Sequence, residues 1–258
     1  MHLSAGTIAK SAWLYVAATG VCLSIIPPQP KPPAELRKKF EYLPRPIESD
    51  SRSAEQPATT DSPLPRWFDY KAASAAFTLS YFPYLFSTWV VMMCALDTFH
   101  ALDLFPRIMP VDHTTTARAF NAQLIAGLVL TSAFTALRFA SFQTLGRLFT
   151  FQLAILPEHK LVTHGVYSYV RHPSYTATPF IFAGVLLTVT APGSVLYDLL
   201  GKASTRMLMV VLALAAARGS YVLVGRAEIE DQVLRREFGK EWEEWARVVR
   251  YKFIPGLL

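Results

Sequence analysis

Apolar runs of two lengths alternate with polar stretches along this chain. Ser4 to Ile26, Ala72 to Leu96 and Ala119 to Ala140 are each long enough to cross the ~30 Å core of a bilayer at ~1.5 Å per helical residue. Tyr175 to Ala191 and Met207 to Val224 are shorter. The first of these ends at Pro192-Gly193 and the second is interrupted by Arg218, so the two predict a shallow hairpin. Pro83 predicts a kink in the second run. The first run holds Lys10 and small polar residues; a cleaved leader is the alternative, but the length of the run and the lack of a clear small-residue cleavage site favour a retained helix. The pattern predicts an all-α fold: a polytopic integral membrane protein of about five transmembrane helices.

The polar stretches divide the chain further. Pro27 to Trp67 is crowded with prolines and mixed charges, a composition that favours extended chain over a packed core. Ser141 to Leu156 is semi-polar, lying at the interface or extending the third helix. The divisions are then residues 1–26, a first transmembrane helix; 27–70, a proline-rich cytosolic linker; 71–140, two transmembrane helices; and 141–258, a C-terminal core. Lys and Arg are dense in the linker and after Val224, and sparse in Asp97–Arg118 and Pro192–Arg206. With five spans, this bias puts the N-terminus in the lumen, and the linker, the His159–Tyr175 segment and the C-terminal tail in the cytosol.

Composition agrees with the pattern. Of the 258 residues, 52% are hydrophobic and 17% charged, against about 25% charged in soluble domains. The net charge of +6 is explained by basic flanks of the spans, so no nucleic-acid partner is implied. Cys22 and Cys94 lie inside apolar runs and read as reduced, structural residues. Asp97, His100, Asp103 and His113 are irregularly spaced in a loop and read as solvated side chains, so no metal site is expected.

One stretch stands apart. Glu158 to Tyr175 packs His159, His164 and His172 with Gly165, Pro173 and three tyrosines between apolar runs. Pro173 disfavours helical geometry at His172, and Gly165 allows a turn with positive φ. The stretch therefore predicts a folded-back segment at the membrane surface that leads into a helix from about Ser174. Irregular polar backbone survives at this depth only when buried in protein or lining a wet cavity, which is the physical case for a site. Further on, Arg226 to Trp245 reads as an amphipathic helix in which Arg226 and Glu230 share a face. Glu241, Glu243 and Glu244 read as a solvated acidic face, and Trp242, Trp245 and Phe253 as an interfacial anchor.

His-x-Leu-Val-Thr-x-Gly-Val-Tyr from His159, followed by Arg-His-Pro-Ser-Tyr from Arg171, resembles the signature of isoprenylcysteine carboxyl methyltransferases. Arg226-Ala-Glu-Ile-Glu-Asp, then Phe238-Gly-Lys-Glu-Trp242 and Ile254-Pro255, resembles the tail of the same family. The resemblance covers roughly the last hundred residues. It implies methyl transfer from S-adenosyl-L-methionine to the C-terminal carboxylate of prenylated proteins at the endoplasmic reticulum membrane. It also implies site residues. Arg226 stands where the family has its catalytic, substrate-contacting Arg, and Glu230 where it has a donor contact. His159, Lys160, Leu161, Val162 and Tyr167 fall in the first donor-binding run; His172, Pro173, Ser174 and Tyr175 form the second; Gln152 occupies the place of a donor-contacting Gln. Ile229 interrupts the family's acidic run, so Glu230 is chosen over Glu228 on spacing alone. Three other readings stand beside this one: methylation of a phospholipid or another small amphiphile, a sterol-reductase-like enzyme, and a membrane scaffold with a proline-rich arm.

Overall fold

A computed structural model describes residues 5–25, 92, 121–149 and 159–257. The linker, nearly all of the Ala72–Leu96 run, the Asp97–Arg118 loop and Gln152 lie outside the described residues. Within them every regular element is helical: α1 (Ala5–Ile25), α2 (Ala122–Leu145), α3 (Pro173–Val189), α4 (Val195–Phe238) and α5 (Lys240–Val248), with 3-10 turns at Gly146–Leu148 and Gly165–Ser168.

The helix boundaries have local causes. Asn121 caps α2, its side chain accepting from the Leu124 amide at 2.9 Å. Pro173 opens α3 at a position where its missing N–H costs nothing. Ser194 caps α4 through the Tyr197 amide. Gly201 (φ 74°) breaks α4 near its start, and Gly239 (φ 51°) separates α4 from α5.

α2 and α3 are the closest pair. A Cβ on Gly184 would lie 2.4 Å from Thr131 Oγ1 and 2.8 Å from the Gly127 carbonyl, so the two backbones approach through glycine. In lipid, where no hydrophobic force drives helices together, such close packing is a main source of association. Phe134 and Phe180 stack across the pair at 4.3 Å. α1 lies against α2, with Leu14 and Val21 buried among Leu124 and Leu128 and Trp13 donating to Ser132 Oγ at 3.2 Å.

Polar contacts collect at the two ends of α2. At its start, Asn121 Nδ2 donates to the Pro192 carbonyl (2.9 Å), Gln123 to the Leu187 carbonyl (3.1 Å), and the buried Lys10 of α1 to the Gly193 carbonyl (3.2 Å). These bonds tie down the α3–α4 turn. Near its other end, ~30 Å along the helix, α2 meets the His159–Tyr175 segment.

α2 and α4 are long and apolar enough to cross a membrane. On α4, Met207, Val210, Val211 and Leu214 are 59–73% exposed. A run of large apolar side chains turned outward suits a hydrocarbon environment.

Two expectations are corrected. The Met207–Val224 run lies in a helix long and apolar enough to cross a membrane, but that helix does not end at Val224, and Arg226–Trp245 is not one amphipathic helix. A single helix runs from beyond Gly201 to Phe238, and the amphipathic piece that follows is only Lys240–Val248. Between Gly193 and Ile254 no proline interrupts the chain, so neither Arg218 nor the charges after Val224 can stop the helix. Glycine does so at positive φ.

Replacing Gly184 by Val should force α2 and α3 apart, at a cost of about 1–3 kcal/mol. The check is the thermal unfolding midpoint in detergent, which should fall; an unchanged midpoint would mean the two backbones are not in contact.

Candidate active site

The segment from His159 to His172 folds over the C-terminal end of α2. Gly165 sits at φ 61°, and a Cβ there would meet Thr144 of α2 at 3.0 Å; the turn thus requires glycine twice over, for its φ and for the close approach. The 3-10 turn that follows buries Tyr167. Tyr167 packs with Trp245 and Val249, and Leu145, Leu161, Val162, Val166 and Trp242 surround them. Trp245 Nε1 donates to the Tyr167 carbonyl at 3.3 Å.

The C-terminal tail closes the other side. The amides of Arg171 and His172 donate to the carbonyls of Tyr251 (3.0 Å) and Lys252 (2.8 Å), and Thr176 Oγ1 donates to the Phe253 carbonyl (2.8 Å). Amides at the start of a helix lack partners within it. Here the tail supplies one for His172, the residue before the first turn of α3.

Between these walls α4 brings its polar stretch to the first turn of α3. The Tyr175 hydroxyl donates to Glu230 Oε2 at 2.7 Å and accepts from Arg226 Nε at 2.8 Å. The Arg226 guanidinium also lies over the Tyr175 ring, 5.9 Å from its centre. The His172 ring stacks on Tyr175, with centroids 5.4 Å apart and planes within 5°. Its Nε2 is 3.0 Å from Asp231 Oδ1 and its Nδ1 is 3.9 Å from Glu230 Oε2. Beneath, the buried Arg138 of α2 donates from Nη1 to the Ser174 carbonyl (3.1 Å), Ser174 Oγ (2.8 Å) and Thr178 Oγ1 (2.8 Å).

Charge and burial act together in this cluster. Burial, reinforced by Glu230 and Tyr175, pushes the Tyr167 phenol above its ordinary range, so it stays a neutral donor. Burial lowers His159, partly opposed by the carboxylates of Glu230 and Glu237. Glu230 therefore lies within electrostatic reach of His159 and Tyr167 as well as touching Tyr175. Its side chain is 34% exposed, which leaves its carboxylate an open face. His159 Nδ1 and Trp242 Nε1 are buried with no hydrogen-bond partner among the described residues.

His172, Tyr175, Arg226 and Glu230, read from the sequence as site residues, form one bonded cluster. Pro173 and Ser174 share the first turn of α3 with Tyr175, and Tyr167, Leu161 and Val162 belong to the adjoining apolar cluster. His159 stands near Phe238, with ring centroids 5.9 Å apart. Lys160 is exposed and outside the network; Gln152 is not among the described residues. Glu228 pairs with Lys252 and is half exposed, so geometry separates it from Glu230. The interfacial-anchor reading fails for Trp245, which is 8% exposed and faces inward, and Phe253 packs on His172. Tyr169 and Tyr251 are aromatic residues that do face outward here. Sequence reading passed over Arg138, although an Arg within an apolar run marks a site by itself.

Residues 125–203 match the family model described as Isoprenylcysteine carboxyl methyltransferase (ICMT) family. Two rice proteins, from Oryza sativa subsp. indica and subsp. japonica, each bear the name "Probable protein-S-isoprenylcysteine O-methyltransferase". Both are 31% identical to this chain over 125 residues, which is 48% of this chain and 56% of each relative. The match thus spans little more than half the length of these relatives. No solved structure matches the chain. The family read from the motifs is the family found by comparison. Arg226, Glu230 and the tail lie beyond the matched residues 125–203, and the fold brings them onto it.

Removing residues Tyr251–Leu258 should strip the acceptors from the Arg171 and His172 amides and open the cluster. Detergent-purified truncated protein should become far more sensitive to proteolysis near Tyr169; unchanged protection would show that the tail is dispensable to this wall. A pH effect follows from His159. Its folded-state value lies below the ordinary one near 6.5. As pH falls through 6.5 the unfolded chain takes up the proton first, so this contribution to stability is present at neutral pH and is lost on acidification. Between pH 7.5 and 5.5 the unfolding midpoint of His159→Asn should fall less than that of the unsubstituted chain; an equal fall would assign the loss to other groups.

Proposed function

We propose that this chain works as a methyltransferase of the isoprenylcysteine carboxyl methyltransferase family matched by its residues 125–203, esterifying the C-terminal carboxylate of isoprenylated cysteine in CaaX-processed proteins. The observation that carries the reading is the Arg226–Tyr175–Glu230 chain of hydrogen bonds, in which a guanidinium and a carboxylate are held on one hydroxyl.

The chemistry asks little acid–base work of the protein. An α-carboxylate has an ordinary pKa of about 3.3–3.7 and is already ionised at neutral pH, so no general base is needed. S-adenosyl-L-methionine, when bound, supplies a methyl group on a cationic sulfonium. What remains for the residues is to hold two oppositely charged partners in line and to exclude water. Arg226 has the planar fork that suits the carboxylate. Tyr175 takes the Arg226 Nε, which fixes the direction of the fork. Glu230, with its open carboxylate face, suits the donor's ammonium group. The buried His159 Nδ1 and Trp242 Nε1, without a hydrogen-bond partner among the described residues, offer an acceptor or donor and a donor to the rest of that molecule, so the residues present fit the cofactor. Leu161, Val162, Tyr167 and Trp245 pack into an adjoining apolar cluster, from which Tyr167 lies within electrostatic reach of Glu230 and Tyr175.

The setting belongs to the proposal too. The chain is an integral membrane protein, with the outward apolar face of α4 in lipid. The site lies at the cytosolic face of the endoplasmic reticulum, as the Lys and Arg bias and the family resemblance suggest. A prenylated cysteine would then reach the site with its tail in the bilayer and its carboxylate at the surface. The comparisons do not favour the phospholipid alternative.

Detergent-solubilised protein with labelled S-adenosyl-L-methionine and N-acetyl-S-farnesyl-cysteine should yield base-labile methyl ester. Arg226→Ala should raise KM for the prenylcysteine, and Glu230→Ala should raise it for the donor, each by about tenfold or more, the equivalent of losing ~1.4 kcal/mol of binding. Donor binding without any ester would turn the assignment to another amphiphilic acceptor; a shared effect of both substitutions on one substrate would overturn the division of roles.

A further inference from the structure

We propose that Asp231 is the positioning residue of this site: its buried carboxylate decides which ring nitrogen His172 presents to Glu230. The inference rests on the methyl-donor reading above, and it concerns a residue with no role in that reading. Asp231 is 6% exposed and follows Glu230 directly on α4. Its Oδ1 lies 3.0 Å from His172 Nε2. An ionised carboxylate only accepts hydrogen bonds, so Nε2 must carry the proton in this contact. Nδ1 is then the nitrogen turned toward Glu230 Oε2, 3.9 Å away. In its neutral form an imidazole held this way by Asp231 sets Nδ1 as a second acceptor beside the Glu230 carboxylate. Two acceptors on one edge of the cluster suit a ligand group with several N–H donors, as an ammonium has.

The groups facing Asp231 come from every segment that meets there. Arg171 Nη1 is 3.2 Å from Oδ2, close enough for an ion pair though not aligned as a hydrogen bond, and Lys252 Nζ is 4.0 Å from the same oxygen. Among the described residues, Glu230 and His172 also stand beside it. Arg171 adjoins the first turn of α3, and Lys252 belongs to the tail whose carbonyl accepts from the His172 amide at 2.8 Å. Asp231 therefore holds the imidazole by Nε2, while its other oxygen draws in the two segments that fix the His172 backbone. Residues behind a ligand-contacting His commonly fix its tautomer and orientation in this manner. Stacking on Tyr175 sets the plane of the ring but does not choose between the two orientations related by a half-turn about Cβ–Cγ; the Asp231 bond makes that choice.

The test uses the full chain in detergent with Asp231→Asn, which keeps the shape but can offer an N–H to Nε2. ¹⁵N NMR of the imidazoles, with His172 assigned through His172→Gln, should show Nε2 protonated in the unsubstituted chain and a changed tautomer in Asp231→Asn. Binding of S-adenosylhomocysteine should weaken about tenfold, with a much smaller change in KM for N-acetyl-S-farnesyl-cysteine. Asp231→Glu should recover part of the affinity and keeps the test open if the Asn variant fails to fold. An unchanged tautomer and affinity, or equal losses for both substrates together with a lowered unfolding midpoint, would overturn the proposal. If the unsubstituted chain binds no S-adenosylhomocysteine, the methyl-donor reading fails, while the tautomer measurement still decides the role of Asp231.

Discussion

A tyrosine hydroxyl can give one proton and accept one or two, and Tyr175 spends both functions on opposite charges. It donates to Glu230 and accepts from Arg226, four residues apart on α4. A direct Arg–Glu pair at that spacing would satisfy itself at the helix surface and be worth only a few tenths of a kcal/mol. With the hydroxyl between them, the part-exposed Glu230 carboxylate keeps some of its hydrogen-bonding capacity for a ligand. Hydrogen bonds to charged groups contribute roughly 1.5–3 kcal/mol each, enough to hold two long side chains in fixed directions. The arrangement needs α3 and α4 in a fixed register, and much of the fold serves that register.

The supports are of different kinds. Glycine contacts bring α2 and α3 backbone to backbone, and Arg138 fastens that pair a second time under Ser174. At the far end, Asn121, Gln123 and Lys10 hold the turn between α3 and α4. The length of α4 does the rest: one helix carries an outward apolar stretch and, beyond it, Arg226, Glu230 and Asp231. A substrate with a lipid tail and a charged head asks for both environments on one rigid element.

The sequence made much of this legible, and unevenly. Pro173 and Gly165 announced the helix start and the turn, because one residue forbids and the other permits a backbone conformation. The apolar runs located α1, α2 and α3 to within a few residues. The continuity of α4 was hidden because charge ends an apolar run without ending a helix. Trp245 looked like an interfacial anchor because its inward partner, the Tyr167 carbonyl, lies 78 residues away. Spacing alone could not divide Glu230 from Glu228; the tail divides them, by bringing Lys252 to Glu228. Asp231 was read only as the end of their acidic run, without a role, for the same reason: its partners Arg171, His172 and Lys252 meet only when the chain folds.

The most direct measurement is an experimental structure of the full chain with S-adenosylhomocysteine and a farnesylated cysteine bound in lipid nanodiscs. The account predicts the cofactor's amino group beside Glu230 and His172, and the acceptor carboxylate on Arg226. Either group bound away from the Arg226–Tyr175–Glu230 cluster would contradict it.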